Sequence, residues 1–127
     1  MKNIRRKFTD EDLKEIDSIL MKFYGEIPYI YKHLPKKQKA PFFIKNDSLF
    51  RSPDSKLSVR EKELIAISAA TALKCQYCQE VHIKNAMRLG LSIDEIKEAI
   101  LLSSVIAESS SLAIALRTVE KIEKSHD

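Results

Sequence analysis

Two cysteines and a histidine stand close together near the middle of this 127-residue chain, at Cys75, Cys78 and His82. On a helix, spacings of three and four residues place all three side chains on one face. A thiol at a helix N-terminus near an imidazole has a lowered pKa and reacts as a thiolate. Two such thiols can cycle between dithiol and disulfide, with the histidine accepting or returning the proton. The spacing therefore predicts thiol–disulfide chemistry.

Two other interpretations of these residues stay open. They could be ordinary core residues, since free cysteine packs as a small hydrophobic side chain. They could also bind Zn²⁺, but a structural zinc site takes four ligands, and His33 and His126 are isolated in the sequence. A zinc site would then be shared between subunits, which would make the protein a structural or metal-binding interaction module.

Glu63 is a further candidate, because it stands in an apolar helical pattern that continues through Ile67. A buried carboxylate has a raised pKa and suits proton relay. Glu63 precedes Cys75 by twelve positions, about 18 Å along a continuous helix. It can serve the thiols only if the chain breaks near Lys74 or if another subunit supplies the carboxylate.

Helix signals surround these residues, and no segment shows the alternation typical of a strand. Ser58 and Ser92 are each followed three positions later by glutamate, the pattern of a capping box. The helix after Ser58 is apolar nearly all the way round, which predicts deep burial. Between the two boxes, a helix over about residues 76–89 is expected to end at Gly90.

The N-terminal half shows weaker signals. Thr9 precedes three acidic residues and an apolar pattern of helical spacing, which Gly25 ends. Residues 27–31 predict one or two helical turns. Three prolines in residues 35–57 predict a connector without regular structure.

At the C-terminal end, the serines around residues 108–111 predict a break before a final helix at 117–124. We therefore expect an all-α fold, with an N-terminal helix at residues 1–26 and one helical domain over residues 27–127. The composition agrees, because two glycines are too few for a β-propeller, a Greek-key sandwich or a glycine-rich nucleotide-binding loop. No cofactor and no resident metal are expected.

The net charge of +4 is concentrated in two basic segments, residues 2–7 and 36–39. A nucleic-acid interface would need a basic stripe with interleaved aromatic side chains, and Phe42 and Phe43 are the nearby aromatic residues. A solvated lysine-rich surface is the simpler interpretation, so no nucleic-acid partner is expected.

Neither a signal peptide nor a membrane span is predicted. No apolar stretch follows the basic N-terminus, and serines and Glu108 interrupt the apolar region 99–116, which is short of the roughly 20 residues that a span needs. A cytoplasmic location and no membrane partner are expected.

The motif as a whole resembles the signature of a known family. Glu63, eleven residues, Cys75-x-x-Cys78, three residues and His82 resemble the pattern of the alkylhydroperoxidase D–like proteins, within the carboxymuconolactone decarboxylase superfamily. The similarity extends over residues 57–106.

The resemblance implies an all-helical fold that assembles into trimers or hexamers. It implies a thiol-dependent peroxidase or disulfide reductase in antioxidant defence, acting on a hydroperoxide or disulfide and regenerated by a dithiol protein or small thiol. Cys78 resembles the peroxide-attacking cysteine and Cys75 the resolving one, with Glu63 and His82 as the proton relay.

One departure from the family pattern concerns the relay. Tyr77 stands where the best-studied members carry a histidine, which would shorten the relay here. The decarboxylase branch does not rely on a cysteine pair, so a lyase activity is disfavoured.

Overall fold

The computed structural model describes residues 6–127, which form six α-helices and contain no strand. The prediction of an all-α fold is confirmed. The helices in chain order are α1 (Asp10–Tyr24), α2 (Tyr29–His33), α3 (Lys36–Phe50), α4 (Val59–Leu73), α5 (Gln76–Arg88) and α6 (Ile93–His126). Residues 2–5 of the first basic segment, and the start of the predicted 1–26 helix, lie outside the described residues.

The chain divides into two compact units, Met1–Glu63 and Leu64–Asp127. In the first unit α1 packs on α3, around a core of Ile16, Leu20, Tyr31, Ala40 and Phe43. In the second unit α5 packs on α6, and the core residues are Ile67, Ala86, Leu91 and Ile96. The predicted domain boundary after residue 26 stays a prediction.

Helix α3 corrects the prediction that residues 35–57 form an irregular connector. Pro41 lies inside α3 and is exposed, so its ring meets solvent while Ala40 and Phe43 face the core. Burial of that face outweighs the backbone hydrogen bond that proline removes. Since Phe43 is only 6% exposed, it is not available to stack on a nucleic-acid base.

Arg51 ties the end of α3 to the end of α1. Its Nε donates to Asp47 Oδ1 at 2.5 Å, and its guanidinium lies 4.6 Å from the centre of the Phe23 ring. The cation–π contact with Phe23 and the charge-assisted hydrogen bond to Asp47 together stabilise this end of the first unit.

Helix α6 is continuous, so the predicted break around residues 108–111 is wrong. The serine hydroxyls are satisfied within the helix: Ser104 Oγ donates to Ile100 O and Ser109 Oγ to Val105 O, both at 2.9 Å. A serine that bonds back to the preceding turn does not end a helix.

Large apolar side chains are exposed along α6 and α4. Leu102, Ile106 and Ile114 of α6 are each about two-thirds exposed. On α4, Ile65 is 54% and Leu73 is 78% exposed, so the predicted deep burial all round α4 is wrong for the single chain. By length and composition α6 is also apolar enough to cross a membrane, although one such helix is weak evidence of a span.

Helix α5 ends in a Schellman motif at Gly90, whose φ of 87° is left-handed. Gly90 N–H donates to Met87 O, and Leu91 N–H to Ala86 O, both at 3.0 Å. This motif favours glycine because a Cβ is strained in the left-handed region.

We expect Gly90→Ala to lower the free energy of unfolding by about 1–2 kcal/mol, because alanine must adopt a left-handed conformation there. The matched control is Lys74→Gly, which removes a Cβ from the other left-handed position, at φ 56°. It is expected to leave stability unchanged or to raise it. Urea denaturation measures both, and an unchanged midpoint for Gly90→Ala would contradict the argument.

Candidate thiol–disulfide site

The site begins where α4 ends. Lys74 is left-handed, with φ 56°; its N–H donates to Thr71 O at 3.2 Å, and Cys75 N–H donates to Ala70 O at 2.9 Å. This is a second Schellman motif, with lysine in the place that glycine usually takes. The break near Lys74 that a relay through Glu63 requires is therefore present, and the backbone of Cys75 is fixed by α4.

Cys75 is at the same time the N-cap of α5. Its backbone is extended (φ −87°, ψ 93°), and its Sγ accepts a hydrogen bond from Cys78 N–H at 3.2 Å. Thr9 and Ser92 do the same for α1 and α6 with a hydroxyl oxygen. The Cys75 sulfur thus serves as the hydrogen-bond acceptor that the side chain of an N-cap residue usually provides.

The charge around this N-cap favours an anion. The first turns of α1, α4 and α6 contain acidic residues, whereas those of α2, α3 and α5 contain none. The positive end of the α5 dipole is therefore not offset by a carboxylate in that turn. A thiolate on Cys75 would supply the negative charge that this end stabilises.

The two cysteines are joined as a disulfide. The distance between Cys75 Sγ and Cys78 Sγ is 2.06 Å and that between the Cα atoms is 5.3 Å. A Cα separation in this range lets the bond form without backbone movement. Both residues are half-buried.

His82 lies on α5, four positions after Cys78. Side chains at this spacing are neighbours on a helix surface, so His82 is placed beside Cys78 rather than Cys75. His82 and Tyr77 are both half-buried. An imidazole in this place can exchange a proton with the Cys78 thiol.

Glu63 lies on α4 and its side chain is almost completely buried, with 1% exposure. Carboxylates are rarely buried to this extent without a hydrogen-bond partner or a role in proton transfer. Glu63 belongs to the first compact unit and the cysteines to the second. The structure thus places Cys78 and His82 on α5 and Cys75 at its N-cap, while Glu63 stands on the preceding helix.

Two features of the site were missed by sequence reasoning. The left-handed Lys74 carried no signal, because lysine does not favour this conformation. The N-cap role of Cys75 could have been found, since it directly precedes the helical pattern of α5. Within residues 6–127, no group of three or more His, Cys, Asp or Glu side chains is arranged to hold a metal ion.

The fold and the site together define an all-α protein with a cysteine pair at the start of a helix. The model of the carboxymuconolactone decarboxylase family matches residues 42–121. The chain therefore belongs to the carboxymuconolactone decarboxylase family.

Two individual proteins are similar to this chain. "Uncharacterized protein 4 in cox locus" of Paracoccus denitrificans is 31% identical over 71 residues, which are 56% of this chain and 64% of that protein. The chain thus matches less than two thirds of the length of this relative. A crystal structure of a protein from Methanobacterium thermoautotrophicum has a TM-score of 0.58 at 24% identity and covers 69% of this chain and 98% of that one. This second likeness shows the fold alone.

Proposed function

We propose that the protein is a thiol-dependent oxidoreductase that reduces a hydroperoxide, or a disulfide, with Cys75 and Cys78. The observation that carries the proposal is the position of the pair: Cys75 caps α5 and its sulfur lies 3.2 Å from Cys78 N–H. A helix N-terminus stabilises the thiolate form of a cysteine near neutral pH, which is the form in which Cys75 would resolve an oxidised Cys78. The cysteine pair also favours this function over the decarboxylation that the family name describes.

The peroxide half-reaction starts at Cys78, as the family resemblance implies. The Cys78 thiolate attacks one oxygen of the hydroperoxide, the O–O bond breaks, and the alcohol leaves with a proton. Cys78 is then a sulfenic acid. The Cys75 thiolate attacks Cys78 Sγ and the S–O bond breaks; the departing hydroxide takes up a proton from solvent and leaves as water as the disulfide forms. A dithiol protein or a small thiol returns the pair to the reduced state.

In this proposal His82 takes the proton of Cys78 and returns it to the leaving alkoxide. Its place four positions after Cys78 supports this role. Glu63 is the further member of the relay, supported by its almost complete burial and by the resemblance. We place the protein in the cytoplasm, in defence against peroxides.

The test is catalytic turnover. With a small dithiol in excess, the protein should consume an organic hydroperoxide over many cycles, and the oxidised dithiol should appear in equal amount. If only a model disulfide is turned over, the protein is a disulfide reductase. Failure to turn over either substrate would contradict the proposal.

We further propose that copies of the chain assemble into a trimer or hexamer through the apolar side chains of α6. Exposed residues on this helix support the idea, and they include Leu101, Leu102, Val105, Ile106, Leu112 and Ile114. Burying each such side chain stabilises an assembly by about 1.5–3 kcal/mol.

We expect the double substitution Leu102→Glu with Ile106→Glu to weaken assembly at least ~10³-fold, because two charges would enter an apolar interface. Light scattering after size-exclusion chromatography measures the mass of the particle. Lys97→Glu, at an exposed position of the same helix, is the control and should keep the wild-type mass. A wild-type protein that is monomeric at micromolar concentration would contradict the assembly.

A further inference from the structure

We infer that Cys75 is the sulfur that leaves when the disulfide is reduced, so that the reductant is held on Cys78. The inference rests on the proposed function, because it describes how the same cysteine pair is regenerated. It assigns the site of attack, which the spacing of the cysteines leaves open.

The geometry separates the two sulfurs by what would stabilise a negative charge on each. Cys75 Sγ accepts the hydrogen bond from Cys78 N–H at the N-terminus of a helix whose first turn contains no acid. The backbone of Cys75 is also fixed to the end of α4, because Cys75 N–H donates a hydrogen bond to Ala70 O at 2.9 Å. Its sulfur is thus held at the positive end of α5 when it becomes a thiolate.

Cys78 is the third residue of α5, and its neighbour on the helix is His82. Both cysteines are half-buried, so access alone does not choose between them. In thiol–disulfide exchange the sulfur with the lower thiol pKa leaves faster. The N-cap position and the hydrogen bond from Cys78 N–H would stabilise a negative charge on Cys75 Sγ, so Cys75 is the better leaving group and attack on Cys78 is favoured.

In the exchange, a thiolate of the dithiol reductant attacks Cys78 Sγ, a bond forms between these two sulfurs, and the bond from Cys78 Sγ to Cys75 Sγ breaks. The electron pair goes to Cys75, which becomes a thiolate at the helix N-terminus. The second thiolate of the reductant then attacks the first sulfur of the reductant, which is bonded to Cys78 Sγ in the mixed disulfide. The bond to Cys78 Sγ breaks, and the Cys78 thiolate that leaves takes up a proton. The reductant is oxidised to a disulfide and the pair is reduced.

The direct test locates the mixed disulfide. Wild-type protein is oxidised with diamide, so that no peroxidase activity is needed, then mixed with glutathione and quenched in acid within milliseconds. Peptide mass spectrometry is expected to find glutathione on Cys78 in excess over Cys75, by roughly fivefold or more. Equal labelling, or glutathione mainly on Cys75, would overturn the inference. Because diamide makes the disulfide, this result is independent of whether the protein reduces peroxides.

A second test removes the backbone N–H of residue 78, which donates the hydrogen bond to Cys75 Sγ. Cys78→Ala keeps this backbone donor and Cys78→Pro lacks it, while both leave Cys75 as the only cysteine. Proline is tolerated in the first turn of a helix. Alkylation of Cys75 by iodoacetamide at neutral pH should be roughly three- to tenfold slower in Cys78→Pro. Equal rates in two variants of equal helicity would overturn the inference, and the glutathione experiment decides if Cys78→Pro does not fold.

Discussion

Replacing Cys78 by serine is expected to lower the rate of hydroperoxide reduction by at least ~10³-fold, to the level of the uncatalysed reaction. Serine has the same shape, but its hydroxyl is not ionised near neutral pH and cannot attack the O–O bond. The rate is measured as loss of hydroperoxide with a dithiol in excess.

Cys75→Ser is the matched variant. It should also lose turnover, yet its Cys78 should still react once with hydroperoxide and gain one oxygen atom, because only the resolving thiol is missing. Intact-mass spectrometry detects this product. If Cys78→Ser reacts once with peroxide and Cys75→Ser does not, Cys75 attacks and the order of the two cysteines is reversed.

Replacing Glu63 by glutamine is expected to slow the oxidation of the thiols by about 10²- to 10⁴-fold, the usual contribution of a general acid or base. The amide keeps the volume of this buried side chain but cannot accept a proton. Stopped-flow mixing with hydroperoxide, followed by the free-thiol content, measures the rate.

Glu61→Gln is the control, since Glu61 lies on the same helix, is exposed, and its Oε1 accepts a hydrogen bond from Ser58 Oγ at 3.0 Å. This variant should oxidise at the wild-type rate. Circular dichroism compares the helix content of both variants with that of the wild type. A Glu63→Gln protein of wild-type helicity that oxidises at the wild-type rate would remove Glu63 from the relay.

Much of the fold could be predicted because the helix ends carry local signals. Thr9, Ser92 and Gly90 mark ends of helices by hydrogen bonds or backbone conformations that few other residues provide. The residues that misled were Pro41 and the serines of α6. Proline and serine disfavour a helix locally. Around Pro41 the packing of Ala40 and Phe43 in the core decides in favour of the helix, whereas Ser109 bonds back to Val105 O within the same helix, an alternative that serine allows and that the sequence pattern does not reveal.

The site could be predicted in its composition but not in its geometry. The spacing predicted Cys75, Cys78 and His82 on one face of a helix; Cys78 and His82 do lie on α5, whereas Cys75 precedes it as an extended N-cap. The turn before Cys75 could not be predicted, because Lys74 adopts a left-handed conformation that lysine does not signal. The burial of Glu63 to 1% exposure depends on packing around α4, which the sequence pattern does not specify.

The most direct test of the account is the product of one equivalent of organic hydroperoxide with the fully reduced wild-type protein. We expect the mass to fall by two hydrogen atoms, peptide mapping to find a Cys75–Cys78 disulfide, and one equivalent of alcohol to be released. A protein that keeps both thiols free after this treatment would contradict the account.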